Sequence, residues 1–308
     1  MSNLVKKETE KFTEAKLIKA LNFDSRLKSK GTLYTYSKLI MKFIRWIDSN
    51  KVPREAVNKL VIIKYMEELK SLKYKNTSIN NNLKAIKRFY KLLQSQDPNI
   101  INPVEGIEYF KEPKQTAKHK WLNEEQLKNI YSLLKKDTSE RGLRNLAIFH
   151  ILVMTGLRAT ELCELTFSDI IYQDDKPVEI NVHGKGDKDR LVEFDEFVYA
   201  PIKAYHKTYG LCEGSNFFYT IPTNGQQERR PMNRFDIRYT IKSIGAKIGI
   251  DLTSHYLRHT YASHALKRGA SLVAIKNRLG HSNINVTEQY YIIDEDKCLD
   301  YLKFDFLL

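Results

Sequence analysis

The sequence predicts a mainly α-helical protein of two domains, the second carrying a small antiparallel β-sheet. Three observations predict it. Apolar residues recur at spacings of three and four through residues 32–93 and again in the second half. A polar, basic stretch without periodicity, Lys111 to Lys120 (KEPKQTAKHK), separates the two regions as a linker. Around residues 178–194 the period drops to two on either side of a glycine-rich turn. At 308 residues the chain suits two domains.

Residues 1–10 are polar, and 11–21 suit a short helix. Thr32, Leu33, Tyr36, Leu39, Ile40, Phe43, Ile44 and Ile47 form one apolar stripe, with Lys38, Lys42 and Arg45 opposite it. Asn50 and Pro53 end that helix. A second helix is expected over Val57 to Leu69. A third is expected over Thr77 to Leu93, burying Ile79, Leu83, Ile86, Phe89, Tyr90 and Leu93. Asn80 to Asn82, Lys84, Lys87 and Arg88 should lie on its exposed side, and Val104 to Phe110 is expected as a short closing helix. After the linker, Asn123 followed by Glu124 and Glu125 marks a helix start. Leu146 to Met154 is apolar all round and must be buried. Gly156 interrupts it, and Arg158 and Glu161 follow. Val178 to Val182 and Arg190 to Phe194 alternate as strands, joined by His183-Gly184-Lys185-Gly186-Asp187-Lys188 as a hairpin turn. Helices are expected over Val198 to Tyr209 and Asn233 to Ile248. Arg229, Arg230, Arg234 and Arg238 cluster near the second of these, as phosphate contacts or as surface charge. The tail after Tyr291 is apolar, ending in Phe304, Phe306, Leu307 and Leu308.

Charge is unevenly placed. The net charge is +14; residues 1–119 hold 25 Lys and Arg against 12 Asp and Glu, and residues 120–308 hold 26 against 25. A basic domain of this kind points to a polyanion, most simply nucleic acid. No apolar run reaches the roughly 20 residues that span a bilayer, so no membrane partner is expected. The N-terminus lacks the apolar core of a signal peptide. Three widely spaced cysteines, Cys163, Cys212 and Cys298, fit neither a disulfide framework nor a zinc site, which points to a reducing cytoplasm.

The chemistry-bearing stretch is Thr253 to Tyr291, TSHYLRHTYASHALKRGASLVAIKNRLGHSNINVTEQYY. His255, Arg258 and His259 share a face if it is helical. His281 follows Gly280, and Tyr290 lies nine residues further on. Arginine presents a planar fork of donors to phosphate oxygens. Histidine moves protons near neutral pH. A tyrosine oxygen can be a covalent nucleophile. Each residue alone is commonplace among 18 tyrosines and 8 histidines; their joint spacing carries the signal. Arg158 behind a buried helix is costly unless paired or functional, and Glu161 at i,i+3 is the available partner.

That spacing, H-x-x-R-H followed by L-G-H-S and then Tyr290, resembles the second catalytic box of the tyrosine recombinases, the integrase family that includes Xer-type proteins. T-G-L-R-x-x-E-L at residues 155–162 resembles the family's first arginine box. G-K-G-x-K-x-R resembles the hairpin that carries its catalytic lysine. The match is Lys185, with Lys188 as the alternative. The helix from Thr77 resembles the third helix of the family's core-binding domain.

The resemblance implies a SAM-like helical core-binding bundle over 1–112, a linker over 113–120 and a mixed α catalytic domain over 121–308 with a C-terminal docking segment. It implies a site-specific recombinase of simple Xer-like type that cleaves and rejoins DNA through a 3′-phosphotyrosyl link. The site residues would be Arg158, Lys185, His255, Arg258, His281 and the nucleophile Tyr290, with Tyr291 a rival and His259 structural. No cofactor and no metal would be needed. The partners would be double-stranded DNA bearing a specific recombination site and further protomers, as a homo-tetramer or paired recombinase on DNA. The alternatives are a type IB topoisomerase-like nicking-closing enzyme and a non-catalytic DNA-binding relative.

Overall fold

The chain divides into two units, Met1–Gln115 and Thr116–Leu308. The computed structural model describes residues 30–111, 121–184, 188–208, 215–222 and 228–280. Among these no helix is long and apolar enough to cross a membrane.

In the first unit α1 spans Lys30–Ser49, α2 Lys59–Ser71 and α3 Asn76–Gln96, with a 3-10 turn at Arg54–Ala56 before α2. Asn58 starts α2 by accepting the Leu60 and Val61 amides on its side chain. The apolar stripes read from the sequence meet in a core of Phe43, Ile47, Ile62, Tyr65, Ile79, Leu83 and Ile86. Full burial of each such side chain stabilises the unit by ~1.5–3 kcal/mol. Phe43, Trp46 and Tyr65 form a tilted aromatic cluster, with Tyr65 about 5 Å from each of the other rings.

Two expectations fail here. Asn80 and Asn82 are buried rather than exposed. The Asn80 amide donates to the Phe110 carbonyl (3.0 Å) and accepts the Phe110 amide (2.9 Å). Asn82 accepts the Tyr65 hydroxyl (3.0 Å). Residues 104–110 are not helical: Val104 enters the core, its amide donates to the Asn102 side chain, and Asn80 of α3 satisfies the amide and carbonyl of Phe110.

The second unit is built around α5. α4 (Glu124–Lys135) opens with the expected cap, Asn123, in a reciprocal capping box with Gln126. α5 (Glu140–Thr155) is buried over most of its length, Arg144 and His150 included. α6 (Ala159–Glu164) and a 3-10 turn (Phe167–Asp169) lead into a three-stranded antiparallel meander of β1 (Ile170–Gln173), β2 (Lys176–Gly184) and β3 (Lys188–Glu193). β1 was not expected. Asp174 and Asp175, both at positive φ, make the two-residue turn that pairs it with β2. α7 (Glu196–Lys207), α8 (Arg234–Ala246), α9 (Ser254–Lys267) and α10 (Leu272–Leu279) complete the described elements. α4, α7, α8 and α9 all pack on α5, and α10 packs on α9 and β3.

Two neutral histidines hold this frame. His150 donates from Nε2 to the Phe197 carbonyl (3.1 Å), so Nδ1 must accept the Tyr131 hydroxyl (2.9 Å). Burial lowers its pKa to about 4. On α9, His264 donates to the Leu122 carbonyl (2.7 Å) and Thr260 accepts the Leu122 amide (2.9 Å), which seats the start of the unit on that helix.

Candidate active site

The site grows from the end of α5. Gly156 caps that helix at φ 65°, in the left-handed region. A Cβ at this position would stand 2.7 Å from the side chains of both Leu279 and Tyr261. Glycine is thus needed for the turn and for the close approach of α9 and α10. The reversed chain delivers Arg158 as the residue before α6. Its backbone amide donates to Glu161 Oε2 (2.8 Å) and its Nη1 to Glu161 Oε1 (2.6 Å). The i,i+3 pair read from the sequence forms, but not on the surface: Glu161 is only 4% exposed. Burial pushes its carboxyl pKa up; hydrogen bonds from Arg190 and from Arg158 outweigh this and hold it below the usual carboxylate range.

Arg190 completes that cluster. It donates from Nη1 to Glu161 Oε1 (3.1 Å) and from Nη2 to Oε2 (2.8 Å). Neither residue was chosen as a site residue from the sequence. The signal was present in the strand period: Arg190 alternates with Val192 and Phe194, both fully buried, and pairs in register with buried Val182. A guanidinium on the core face of a strand needs a buried acceptor, here the Glu161 carboxylate.

Arg258 comes from α9, started by the Thr253 hydroxyl, which accepts the Tyr256 amide (3.1 Å). One helical turn separates His255 from Arg258. Arg258 is 1% exposed. Main-chain oxygens at the ends of two helices compensate its burial: Nη1 donates to the Gly156 carbonyl (2.8 Å) and Nη2 to the Leu279 carbonyl. The end of α10 repeats this contact on either side. Arg190 Nε donates to the Arg278 carbonyl (2.6 Å), and Arg158 Nη2 to the Gly280 carbonyl (3.3 Å). Three consecutive carbonyls, 278 to 280, therefore each receive a different arginine.

Arg158, His255 and Arg258 line one pocket of about 410 Å³, together with Ala159, Thr160, Arg234, Phe235, Arg238 and Ser254. These are the opening turns of α6, α8 and α9. The lining holds four arginines and no carboxylate. Helix N-termini and guanidiniums both favour an anion. Two of the four clustered arginines, Arg234 and Arg238, thus belong to the pocket. The other two are engaged elsewhere, Arg229 with Glu140 (2.6 Å) and Arg230 with Asp236 (2.7 Å). His255 reaches solvent at the mouth. Partial loss of hydration lowers its pKa first, and the charges of Arg258 and Arg158 lower it further, so its imidazole is neutral at pH 7 and able to take up a proton.

Lys185, His281, Tyr290 and the rival Tyr291 lie outside the described residues, as does the tail. Lys185 follows the last residue of β2, and His281 follows the Gly280 whose carbonyl holds Arg158.

The profile of the phage integrase family matches residues 120–297, and that of the phage integrase N-terminal SAM-like domain matches residues 15–100. The chain is 28% identical over 265 residues to tyrosine recombinase XerC of Staphylococcus haemolyticus (strain JCSC1435), covering 85% of this chain and 86% of the relative. It is 28% identical over 276 residues to tyrosine recombinase XerD of Rickettsia conorii (strain ATCC VR-613 / Malish 7), covering 86% and 89%. In fold it is similar to the XerH site-specific recombinase bound to palindromic difH substrate in a post-cleavage complex, with a TM-score of 0.69 at 19% identity over 92% of this chain and 82% of that one.

Proposed function

The chain belongs to the phage integrase family and is a tyrosine-type site-specific DNA recombinase, and from that premise we propose how its residues divide the work. Tyr290 attacks the scissile phosphorus and forms a 3′-phosphotyrosyl link; the 5′ oxygen leaves. Covalent storage of the phosphodiester lets a second 5′ hydroxyl reverse the step with no nucleotide cofactor. Arg158 and Arg258 grip the non-bridging oxygens, where charge builds in the pentavalent transition state. His281 adds a donor to the same oxygens. His255 accepts the tyrosine proton, and Lys185 protonates the departing 5′ oxygen. Arg234 and Arg238 hold neighbouring phosphates.

The observation that carries this reading is the shared pocket. Arg158 and Arg258, one hundred residues apart in sequence, line one anion-favouring cleft with His255 at its mouth. Residues 1–112 serve as the core-binding domain, 113–120 as the linker and 121–308 as the catalytic domain. The basic face of the first unit supplies sequence-independent affinity for double-stranded DNA. Four protomers, or two pairs, assemble on a recombination site through the C-terminal segment. The setting is the reducing cytoplasm that the cysteine content suggests.

The test is covalent trapping. The full chain is mixed with a fragmented duplex library, quenched with denaturant, and the DNA that stays attached is sequenced. One defined site should dominate, and Tyr290→Phe should retain none. Adducts spread without sequence preference would favour a nicking-closing enzyme. Equal adducts from Tyr290→Phe would remove Tyr290 from its role.

A further inference from the structure

We infer that Arg190 is a positioning residue for the cleavage step: it neutralises and orients Glu161 so that Arg158 keeps both its direction and its charge for the phosphate. The inference rests on Arg158 being a phosphate ligand.

Arg158 faces a buried carboxylate at 2.6 Å. A guanidinium paired one-to-one with a carboxylate offers little net charge to a second anion. Arg190 changes that balance. Two arginines on one carboxylate leave the cluster with a net positive charge, and the exposed member is Arg158, with about a third of its side chain accessible against 11% for Arg190. Arg190 does not line the pocket. All three of its nitrogens are engaged, two in a fork on Glu161 and Nε on the Arg278 carbonyl. It therefore acts through another residue rather than on the phosphate.

The geometry adds direction. Each Glu161 oxygen accepts one bond from Arg190 and one from Arg158, the latter through Nη1 and the backbone amide. The carboxylate plane is fixed by the Arg190 fork, and it in turn fixes the Arg158 side chain. The third bond ties the same guanidinium to the main chain two residues before Gly280, whose carbonyl also receives Arg158. A Cβ on Gly280 would meet Arg190 Nη1 at 3.3 Å, so the turn and the guanidinium are in close contact. Arg190 thus braces Arg158 from both sides, through Glu161 and through the end of α10.

The test is a double-mutant cycle on the full chain, using a nicked duplex that carries the trapped site. Single-turnover cleavage, DNA affinity and thermal unfolding are measured for Arg190→Gln, Arg190→Lys, Arg158→Lys, Arg158→Ala and the doubles that pair a change at 190 with Arg158→Lys. Arg190→Gln should slow cleavage roughly 10- to 100-fold, by analogy with loss of the hydrogen-bond partner behind a metal ligand, with DNA affinity within about threefold. Arg190→Lys, which keeps the charge and loses the fork, should recover part of that loss. In the Arg158→Lys background the further loss from either change should shrink to about twofold or less. Parental cleavage by Arg190→Gln, or losses that multiply in the doubles, would overturn the proposal. If Arg190→Gln does not fold, the Arg190→Lys arm decides by the same criterion. Parental cleavage by Arg158→Lys and Arg158→Ala alike would instead sink the role of Arg158 itself.

Discussion

The two units use positive charge in opposite ways. In the first, Lys38, Arg45 and Lys84 stand exposed, and Lys38, Lys42 and Lys84 lie over the rings of Tyr34 (4.3 Å), Tyr74 (3.8 Å) and Tyr109 (5.6 Å). These cations keep most of their water. In the second, Arg258 is buried and Arg190 is largely so, each bonded to a carboxylate or to carbonyls. The first unit carries nearly all the excess charge of the sequence, yet the anion pocket is in the unit whose charges almost cancel. Net charge reports affinity for a polyanion; it does not report where a phosphate is held in one orientation.

Substitutions can break that contrast, and Arg258→Ala should break it most. Cleavage should fall by about 100-fold or more, as for the loss of a fixed donor at a developing oxyanion, while DNA affinity changes little. Single-turnover kinetics beside a gel-shift titration separate the two. A comparable loss of affinity would mean that this arginine behaves like the lysines of the first unit.

Acid should come next. His150 titrates at about 4 when folded, against 6.5 for the ordinary group. A depressed value means that the neutral form is the folded one. Its stabilising contribution is complete above pH 6.5 and is lost as pH falls toward 4. The shift corresponds to about 3 kcal/mol. Urea unfolding at pH 7 and pH 4.5 should show the second unit losing stability, and His150→Gln should flatten that dependence. An unchanged slope in the variant would locate the acid sensitivity elsewhere.

Gly156→Ala should cost about 1–3 kcal/mol from the left-handed backbone alone, with further loss from the contacts to Leu279 and Tyr261. Because the Gly156 carbonyl also holds Arg258, cleavage should fall more than unfolding explains. The smallest effect belongs to the first unit. Lys38→Ala and Lys84→Ala should each lower the salt slope of DNA binding by about 1 and change stability by less than about 1 kcal/mol. A larger loss of stability would show that the tyrosine contacts hold the bundle rather than present the lysines.

Much of this was legible beforehand. Strong periodicity marked α1 and α3, a run apolar all round marked the buried part of α5, and Asn123 marked the start of α4, because these depend on residues within one or two turns. The i,i+3 spacing put His255 and Arg258 on one face, and the resemblance of the Thr155–Leu162 stretch to an arginine box added Arg158; the three line one pocket. What escaped depends on partners far along the chain. Asn80 and Asn82 look like surface amides until Phe110 and Tyr65 are brought to them. Arg190 looks like a strand residue until Glu161 is beneath it. In place of a helix over Val104 to Phe110, the segment ends with Phe110 held on the Asn80 side chain, thirty residues away.

The three oxygens at the end of α10 carry an evolutionary consequence. Every amino acid owns a carbonyl, so the atoms that hold Arg190 and Arg258 survive almost any exchange of side chain at 278 and 279. What they cannot survive is a change of phase. Inserting or deleting one residue in α10 would rotate them by about 100° around the helix axis and unhitch all three arginines together. The three contacts therefore depend on the length of α10 more than on its side chains, although Leu279 is also held by the core and Arg278 by Glu193 and Tyr261.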